Sequence, residues 1–118
     1  MSANKELVQA YMARKTNAEL EELIADDVEW IEWGNGVPSN GVRTKGKAAY
    51  LENFGSDELT TEVLRMTEEG SVVVVEGLTR VQKQDGRVLS VRFCDIFEIE
   101  SGKVKRLNSF GALLKDAP

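Results

Sequence analysis

Apolar residues near the start of the chain recur at the spacing of one helix face. Leu7, Val8, Tyr11 and Met12 form a single stripe, which predicts a helix over residues 4–14. Thr16 and Glu19 have the spacing of a capping box, and a second short helix is predicted from there to residues 26–27. A third helix is predicted over residues 47–54, and its buried side carries Tyr50, Leu51 and Phe54.

The pattern changes to strict alternation between the second and third helices. Residues 28–33 predict a strand with Val28, Trp30 and Glu32 on one face and Glu29, Ile31 and Trp33 on the other. Each face holds a tryptophan, so the pattern leaves open which face is buried. Residues 34–46 contain four glycines and Pro38, which predicts a loop.

From residue 59 onward the chain reads as strands and turns. Strands are predicted near 59–68, 72–83, 87–100 and 103–110, and tight turns between them indicate an antiparallel meander. Strands of this length must twist and coil. We therefore predict one α+β domain over residues 1–118, in which three N-terminal helices pack on a curved, cone-shaped antiparallel sheet and enclose an apolar pocket.

Composition excludes several classes of function. The net charge of −5 argues against nucleic-acid binding. The absence of histidine excludes Ser-His and Cys-His nucleophile pairs and most zinc sites, and a single cysteine, Cys94, cannot form an intrachain disulfide. No apolar run reaches the roughly 18 residues of a membrane span, and no signal peptide is apparent, so we expect a cytoplasmic protein without metal or cofactor.

A phosphate-binding loop is also excluded. Residues 41–47 match the spacing of its glycines and lysine, but Ala48 replaces the Ser or Thr that would bind Mg²⁺. The residues before this segment do not form a buried strand, so nucleotide binding is not expected.

Asp95 is the strongest candidate for chemistry. Alternation along residues 88–100 places it on the face of Leu89, Val91, Phe93, Phe97 and Ile99. Burial of an isolated carboxylate on this apolar face costs roughly several kcal/mol of folding free energy, unless the group is hydrogen-bonded or protonated. Such a group is either paired within the scaffold or functional. Tyr11 lies on an apolar helix stripe, where a tyrosine is usually a core residue with a hydrogen-bonded hydroxyl.

Nearly the whole chain resembles the nuclear transport factor 2-like superfamily, which includes ketosteroid isomerase and the SnoaL-like polyketide cyclases. The most similar segments are ELVQAYMA, LIADDVEWIEW and CDIFEIESGKVKRLNSFGALL. The resemblance implies the fold, whereas function varies within the superfamily. The arrangement of limonene epoxide hydrolase is not matched, because Phe93 stands where an arginine is required two residues before Asp95.

The resemblance to ketosteroid isomerase implies roles for three residues. Tyr11 matches the tyrosine that donates to the substrate oxygen, Asp95 the protonated aspartic acid that also donates, and Glu32 the general base, which is an aspartate in the isomerase. The neutral carboxylic acid of ketosteroid isomerase is itself a standard example of a shifted pKa. The predicted apolar wall of the substrate pocket consists of Trp30, Phe54, Phe93 and Phe97.

We therefore expect a ketosteroid isomerase-like enzyme that acts on a small apolar carbonyl compound. The alternatives are a non-catalytic binder of small molecules and a cyclase- or dehydratase-type enzyme with Asp95 as the base. A homodimer is expected through the outer sheet face, which carries Ile31, Trp33, Cys94 and Ile96.

Overall fold

The computed structural model describes residues 2–34, 37–52, 58–82 and 85–114. The helices are α1 (Ala3–Ala13), α2 (Asn17–Leu23) and α3 (Lys47–Glu52). The strands are β1 (Ile24–Gly34), β2 (Val42–Lys45), β3 (Glu58–Glu69), β4 (Val72–Gln82), β5 (Val88–Glu100) and β6 (Lys103–Leu113). The α+β class and the three helices predicted from sequence are confirmed.

The first two helices begin at side-chain caps. The Ser2 hydroxyl accepts a hydrogen bond from the Lys5 amide at 3.1 Å, and the Thr16 hydroxyl accepts one from the Glu19 amide at 3.2 Å. Each cap satisfies an amide that has no partner inside its helix. The predicted end of the second helix was wrong, because α2 stops at Leu23 and the buried Ile24 already begins β1.

The six strands form one curved, unclosed sheet in the order β2-β1-β6-β5-β4-β3. β3 to β6 are successive antiparallel neighbours, which confirms the predicted meander. β1 extends the sheet by pairing in parallel with β6, and β2 pairs antiparallel with β1. The prediction of a loop was wrong for residues 42–45, because this short, largely exposed strand has no apolar alternation that would mark it.

The core lies between the helices and one face of the sheet. Val8 and Tyr11 of α1, Leu20 of α2 and Tyr50 of α3 are buried against that face. Opposite them lie the buried sheet residues Ile24, Val28, Val73, Val75, Phe97, Ile99, Val104 and Leu107. Burial of such a side chain stabilises the fold by about 1.5–3 kcal/mol. Within the described ranges, none of the helices is long and apolar enough to cross a membrane.

Candidate active site

The strand register places Glu32, Ser109 and Asp95 in one row across three neighbouring strands. Glu32 of β1 is paired with Ser109 of β6, and Ser109 is paired with Asp95 of β5. Asp95 is in turn opposite the buried Val75 of β4. Side chains of directly opposite residues point to the same face of a sheet. The row therefore lies on the helix-covered face, which settles the register that the sequence left open for Glu32.

A cavity of about 140 Å³ opens beside this row, between α1 and the sheet. Its wall combines apolar and polar side chains: Tyr11, Met12, Arg14, Trp30, Thr61, Thr79, Phe93, Asp95, Leu107 and Ser109. A larger cleft of about 300 Å³ lies elsewhere. It is lined by the start of β1, Lys47, and four residues around the turn between β5 and β6, namely Glu100, Ser101, Lys103 and Lys105. Two aspartates there, Asp26 and Asp27, are exposed and ion-paired with Lys47 and Lys105, so the smaller cavity is the better candidate for catalysis.

The Asp95 carboxyl group is held by a short chain of hydrogen bonds. Trp30 donates its indole N–H to the Ser109 hydroxyl at 2.9 Å, and Ser109 donates to Asp95. Burial raises the pKa of Asp95 to about 7, although the bond from Ser109 and the charge of Arg14 act in the opposite direction. The desolvation of the carboxylate thus outweighs both favourable contacts. Near neutral pH Asp95 is present in both protonation states.

Tyr11 reaches the same cavity from the last turns of α1. Its ring packs edge-on against Phe97 with centroids 4.9 Å apart, and its hydroxyl lies 2.5 Å from the Tyr50 hydroxyl. Burial raises the pKa of Tyr11 to about 12, so the phenol stays protonated at physiological pH. Tyr11 is therefore a hydrogen-bond donor rather than a base.

Glu32 is near the cavity but is not one of the residues that line it. Opposed strands are about 4.8 Å apart, so the backbones at Glu32 and Asp95 are separated by about 10 Å, with Ser109 between them. Partial burial raises the pKa of the Glu32 carboxyl above its usual range.

The residues predicted to form the pocket wall have different positions. Trp30 and Phe93 line the cavity. Phe97 is fully buried beneath the Tyr11 ring and supports it. Phe54 lies outside the described residues.

The sequence did not identify four polar residues of the cavity wall, namely Arg14, Thr61, Thr79 and Ser109. It also did not identify the contact between the Tyr50 and Tyr11 hydroxyls. Arg14 could have been found, because it lies three residues after Tyr11 in the helix predicted over residues 4–14, and this spacing places two side chains on one helix face. Thr61 and Thr79 are directly opposite across β3 and β4, and their hydroxyls are 3.2 Å apart. Among the described residues, no group of three or more Cys, Asp or Glu side chains could hold a metal ion.

Comparison with known proteins gives one family and a set of similar folds. The model of the SnoaL-like domain family matches residues 5–107. An NTF2-like protein of unknown function from Burkholderia pseudomallei is 22% identical, with a TM-score of 0.77 over 92% of this chain and 90% of that chain. No curated protein shows a significant match.

Two further solved structures have names that suggest an activity. A candidate ketosteroid isomerase from Kribbella flavida is 20% identical, with a TM-score of 0.74 over 98% of this chain and 82% of that chain. A candidate SnoaL-like polyketide cyclase from Jannaschia is 17% identical, with a TM-score of 0.77 over 92% of this chain and 85% of that chain. Likeness at this level of identity establishes the fold and leaves the activity open.

Proposed function

The chain belongs to the SnoaL-like domain family, and from this premise we propose that it is an isomerase of small, largely apolar carbonyl compounds. The observation that carries the proposal is the meeting of Tyr11 and Asp95 in one cavity, where Asp95 has a pKa of about 7. A phenol and a neutral carboxylic acid are two donors suited to an oxygen that becomes negatively charged.

In the proposed reaction, ionised Glu32 removes a proton from the carbon next to the carbonyl group. The electron pair moves into the carbonyl, and Tyr11 and protonated Asp95 donate hydrogen bonds to the enolate oxygen. Glu32 then returns the proton to a different carbon, so that a β,γ-unsaturated ketone becomes its conjugated isomer. The protein is unchanged at the end, and no other reactant is consumed.

The surrounding hydrogen bonds support this assignment of roles. While the protonated oxygen of Asp95 donates to the substrate, its other oxygen can accept the hydrogen bond from Ser109. Tyr50 holds the hydroxyl of Tyr11 at 2.5 Å. Both donors are therefore oriented before the substrate arrives, which lowers the cost of stabilising the enolate.

A second candidate is a cyclase- or dehydratase-type reaction in which Asp95 is the base. It is favoured by the position of Asp95 in the cavity wall, where Glu32 is not found, and by a pKa close to the pH at which a base works best. A non-catalytic binder would use the same cavity without turnover.

Turnover and two amide variants separate these proposals. The protein is incubated with small β,γ-unsaturated ketones and a Δ5-3-ketosteroid, and the absorbance of the conjugated enone is followed. We expect Glu32→Gln to lower kcat by roughly 10²–10⁴-fold, as for loss of a general base. Glu98→Gln, on the opposite face of β5, is the matched control and should be unaffected. Binding of a phenol without any turnover would favour the binder, and loss of activity in Asp95→Asn alone would favour the second candidate.

The pH dependence of kcat/KM gives an independent test. If protonated Asp95 is a donor, the rate falls as the pH rises through about 7, the pKa of Asp95. If ionised Asp95 is the base, the rate rises through the same interval. The two mechanisms therefore predict opposite slopes.

We also propose a cytoplasmic homodimer that forms through the outer face of the sheet. Trp33 and Phe110 stack there with centroids 6.1 Å apart, and Phe110 is 41% exposed. Cys94 lies beside Phe110 in the register. Ile31 is 5% exposed, so it contributes little to such an interface. Light scattering at micromolar concentration should give the mass of a dimer, and the mass of a monomer would refute this proposal.

A further inference from the structure

The row of the sheet next to Asp95 consists mainly of glycine. Two residues further along each strand, and on the same face, Gly34 of β1 is paired with Gly111 of β6, and Gly111 is paired with Phe93 of β5. Phe93 is in turn paired with Gly77 of β4. Of these four described residues, only Phe93 has a side chain, and both residues directly opposite it are glycines.

The ring of Phe93 lies over one of these two glycines and not over the other. A Cβ atom at position 77 would lie 2.5 Å from Cζ of Phe93, well inside the roughly 3.5–4.0 Å at which two carbon atoms pack. The ring therefore occupies the space that Gly77 leaves free. A Cβ atom at position 111 would lie 3.1 Å from Cγ1 of Val91. Apart from the chain neighbours of Gly111, no other described atom lies within 4 Å of that position, so the space immediately above Gly111 is free.

This free space adjoins the candidate cavity. Gly111 follows Ser109 on the same face of β6, at a distance of about 6.6–6.8 Å for two strand residues. Ser109 and Phe93 both line the cavity. Gly34 and Leu113, the neighbours of Gly111 on this face across and along the sheet, are exposed. We name the strip of sheet surface over Gly34 and Gly111 the glycine slot, and it leads from the cavity towards solvent.

The glycine slot supplies room that the cavity lacks. The cavity volume of about 140 Å³ is below the ~300 Å³ at which pockets for drug-sized ligands begin. A glycine within a strand allows a ligand to approach the backbone closely, because no side chain holds it away. The Phe93 and Val91 side chains border the position of Gly111. The slot is therefore suited to an apolar group that lies against the sheet.

We propose that Gly111 determines the size of substrate that the site accepts, because it keeps the glycine slot open for the apolar part of the substrate remote from the carbonyl group. The carbonyl end then lies in the cavity, with its oxygen at Tyr11 and Asp95. The proposal rests on the proposed function for the position of this carbonyl group. A side chain at position 111 would shorten the site without touching the proposed donors or base.

The test compares the binding of two phenols that differ by one fused ring. Phenol and 2-naphthol each supply a hydroxyl group that mimics the enolate oxygen. Isothermal titration calorimetry at pH 6, where Asp95 is mainly protonated, measures both affinities. We expect the wild-type protein to bind 2-naphthol about tenfold more tightly than phenol, because the second ring buries additional apolar surface in the slot.

Two variants narrow the slot in steps. Gly111→Ala should reduce the preference for 2-naphthol, and Gly111→Val should bring the ratio of the two affinities close to one while phenol still binds. Ala112→Val is the matched control, because it enlarges the neighbouring, exposed residue on the opposite face of β6, and it should keep the full preference. Thermal unfolding identifies any variant that has lost its fold. Gly111→Ala keeps the test decisive if Gly111→Val does not fold, since Gly111 has no positive φ that would exclude alanine.

Three results would overturn the inference. The first is a wild-type protein that binds 2-naphthol no more tightly than phenol. The second is a ratio of affinities that is unchanged in the folded Gly111 variants. The third is an equal loss of affinity for both phenols in these variants, which would indicate a general structural role for Gly111.

The proposed function fails separately. If Gly111 controls the preference but no β,γ-unsaturated ketone is isomerised, the slot stands and the isomerase proposal is wrong. If ketones are isomerised, we expect Gly111→Val to lower kcat/KM for a Δ5-3-ketosteroid more than for cyclohex-3-enone, which has the reacting ring alone. An equal reduction for both substrates would leave the isomerase proposal in place and would contradict the role of Gly111.

Discussion

Asp27 and Asp95 are carboxyl groups of one sheet, and their surroundings are opposite. Asp27, at the larger cleft, has a side chain that is 71% exposed and ion-paired with Lys105. The hydrogen bond from Lys105 lowers the pKa of Asp27. Asp95 is covered by α1, and burial raises its pKa to about 7 despite the bond from Ser109 and the charge of Arg14.

The difference shows why the smaller cavity, and not the larger cleft, is the proposed site. The cleft at Asp27 has about twice the volume of the cavity at Asp95, but Asp26 and Asp27 in its wall are exposed and ion-paired. Exposed ion pairs contribute little to folding stability, since water competes for both partners. Only where water is excluded does a carboxyl group become a donor or base at neutral pH.

The largest effect on stability is expected when a packed side chain beneath Tyr11 is removed. Phe97→Ala removes the fully buried ring beneath Tyr11 and should lower the free energy of unfolding by about 3–5 kcal/mol. Urea denaturation measures this loss. Leu113→Ala is the control near the end of β6, where the side chain is 54% exposed, and it should cost far less. Equal losses would mean that Phe97 is not part of a packed core.

Asp95→Asn should change how stability depends on pH. The folded-state pKa of about 7 exceeds the unfolded value, so Asp95 lowers the free energy of unfolding as the pH rises from about 4 to about 7. Asp95 is partly exposed, so this decline should be between about 1 and 4 kcal/mol. Asp95→Asn should abolish the decline, as measured by urea denaturation at pH 4, 6 and 8. An unchanged pH profile would contradict an Asp95 carboxyl group that is largely desolvated and has a raised pKa.

A smaller effect is expected from the tyrosine pair. Tyr50→Phe removes one of two buried hydroxyls that are 2.5 Å apart, which should cost about 1–2 kcal/mol. A double-mutant cycle with Tyr11→Phe isolates the contact, since the second substitution should cost less once the first is made. Strictly additive losses would show that the two hydroxyls do not depend on each other.

The smallest effect is expected at the exposed carboxyl group. Asp27 has a lowered pKa, so any stability it contributes is present above the unfolded pKa and is lost as the pH falls through the folded one. Asp27→Asn should therefore slightly lower the free energy of unfolding at pH 7, and this loss should disappear in acid. The contribution of Asp95 to stability changes with pH in the opposite direction. Thermal unfolding of the wild-type and Asp27→Asn proteins across a range of pH measures this difference. If Asp27 instead lowered stability as the pH rises, the contrast with Asp95 would be wrong.

Alternation along one strand was enough to predict that Asp95 faces the core. Its partner Ser109 could not be predicted, because the pairing depends on a bulge. The turn at Ser101 and Gly102 alone would place Asp95 opposite Asn108, and the irregularity between Glu98 and Ile99 shifts the register by one residue. A bulge of this kind has no clear sequence signal here.

The family and the meander predicted from the sequence are confirmed by the family model and the strand order. The face of Glu32 could not be decided from β1, because the pairing of Glu32 with Ser109 of β6 that fixes it joins residues 77 positions apart. The roles of Tyr11, Glu32 and Asp95 in catalysis stay predictions. The other polar residues of the cavity wall, Thr61, Thr79 and Ser109, lie on β3, β4 and β6. Sequence patterns within one strand do not show that these three residues meet.

The pKa of the Asp95 carboxyl group in the folded protein is the most direct test of whether this group is desolvated in the proposed site. Carbon-13 NMR of protein labelled at the aspartate carboxyl groups, assigned with Asp95→Asn, follows its titration between pH 3 and 9. We expect a midpoint near 7 for Asp95, while the exposed Asp27 titrates below its ordinary value. A midpoint for Asp95 near the ordinary value of about 4 would show that the carboxyl group is solvated and would contradict the proposed site.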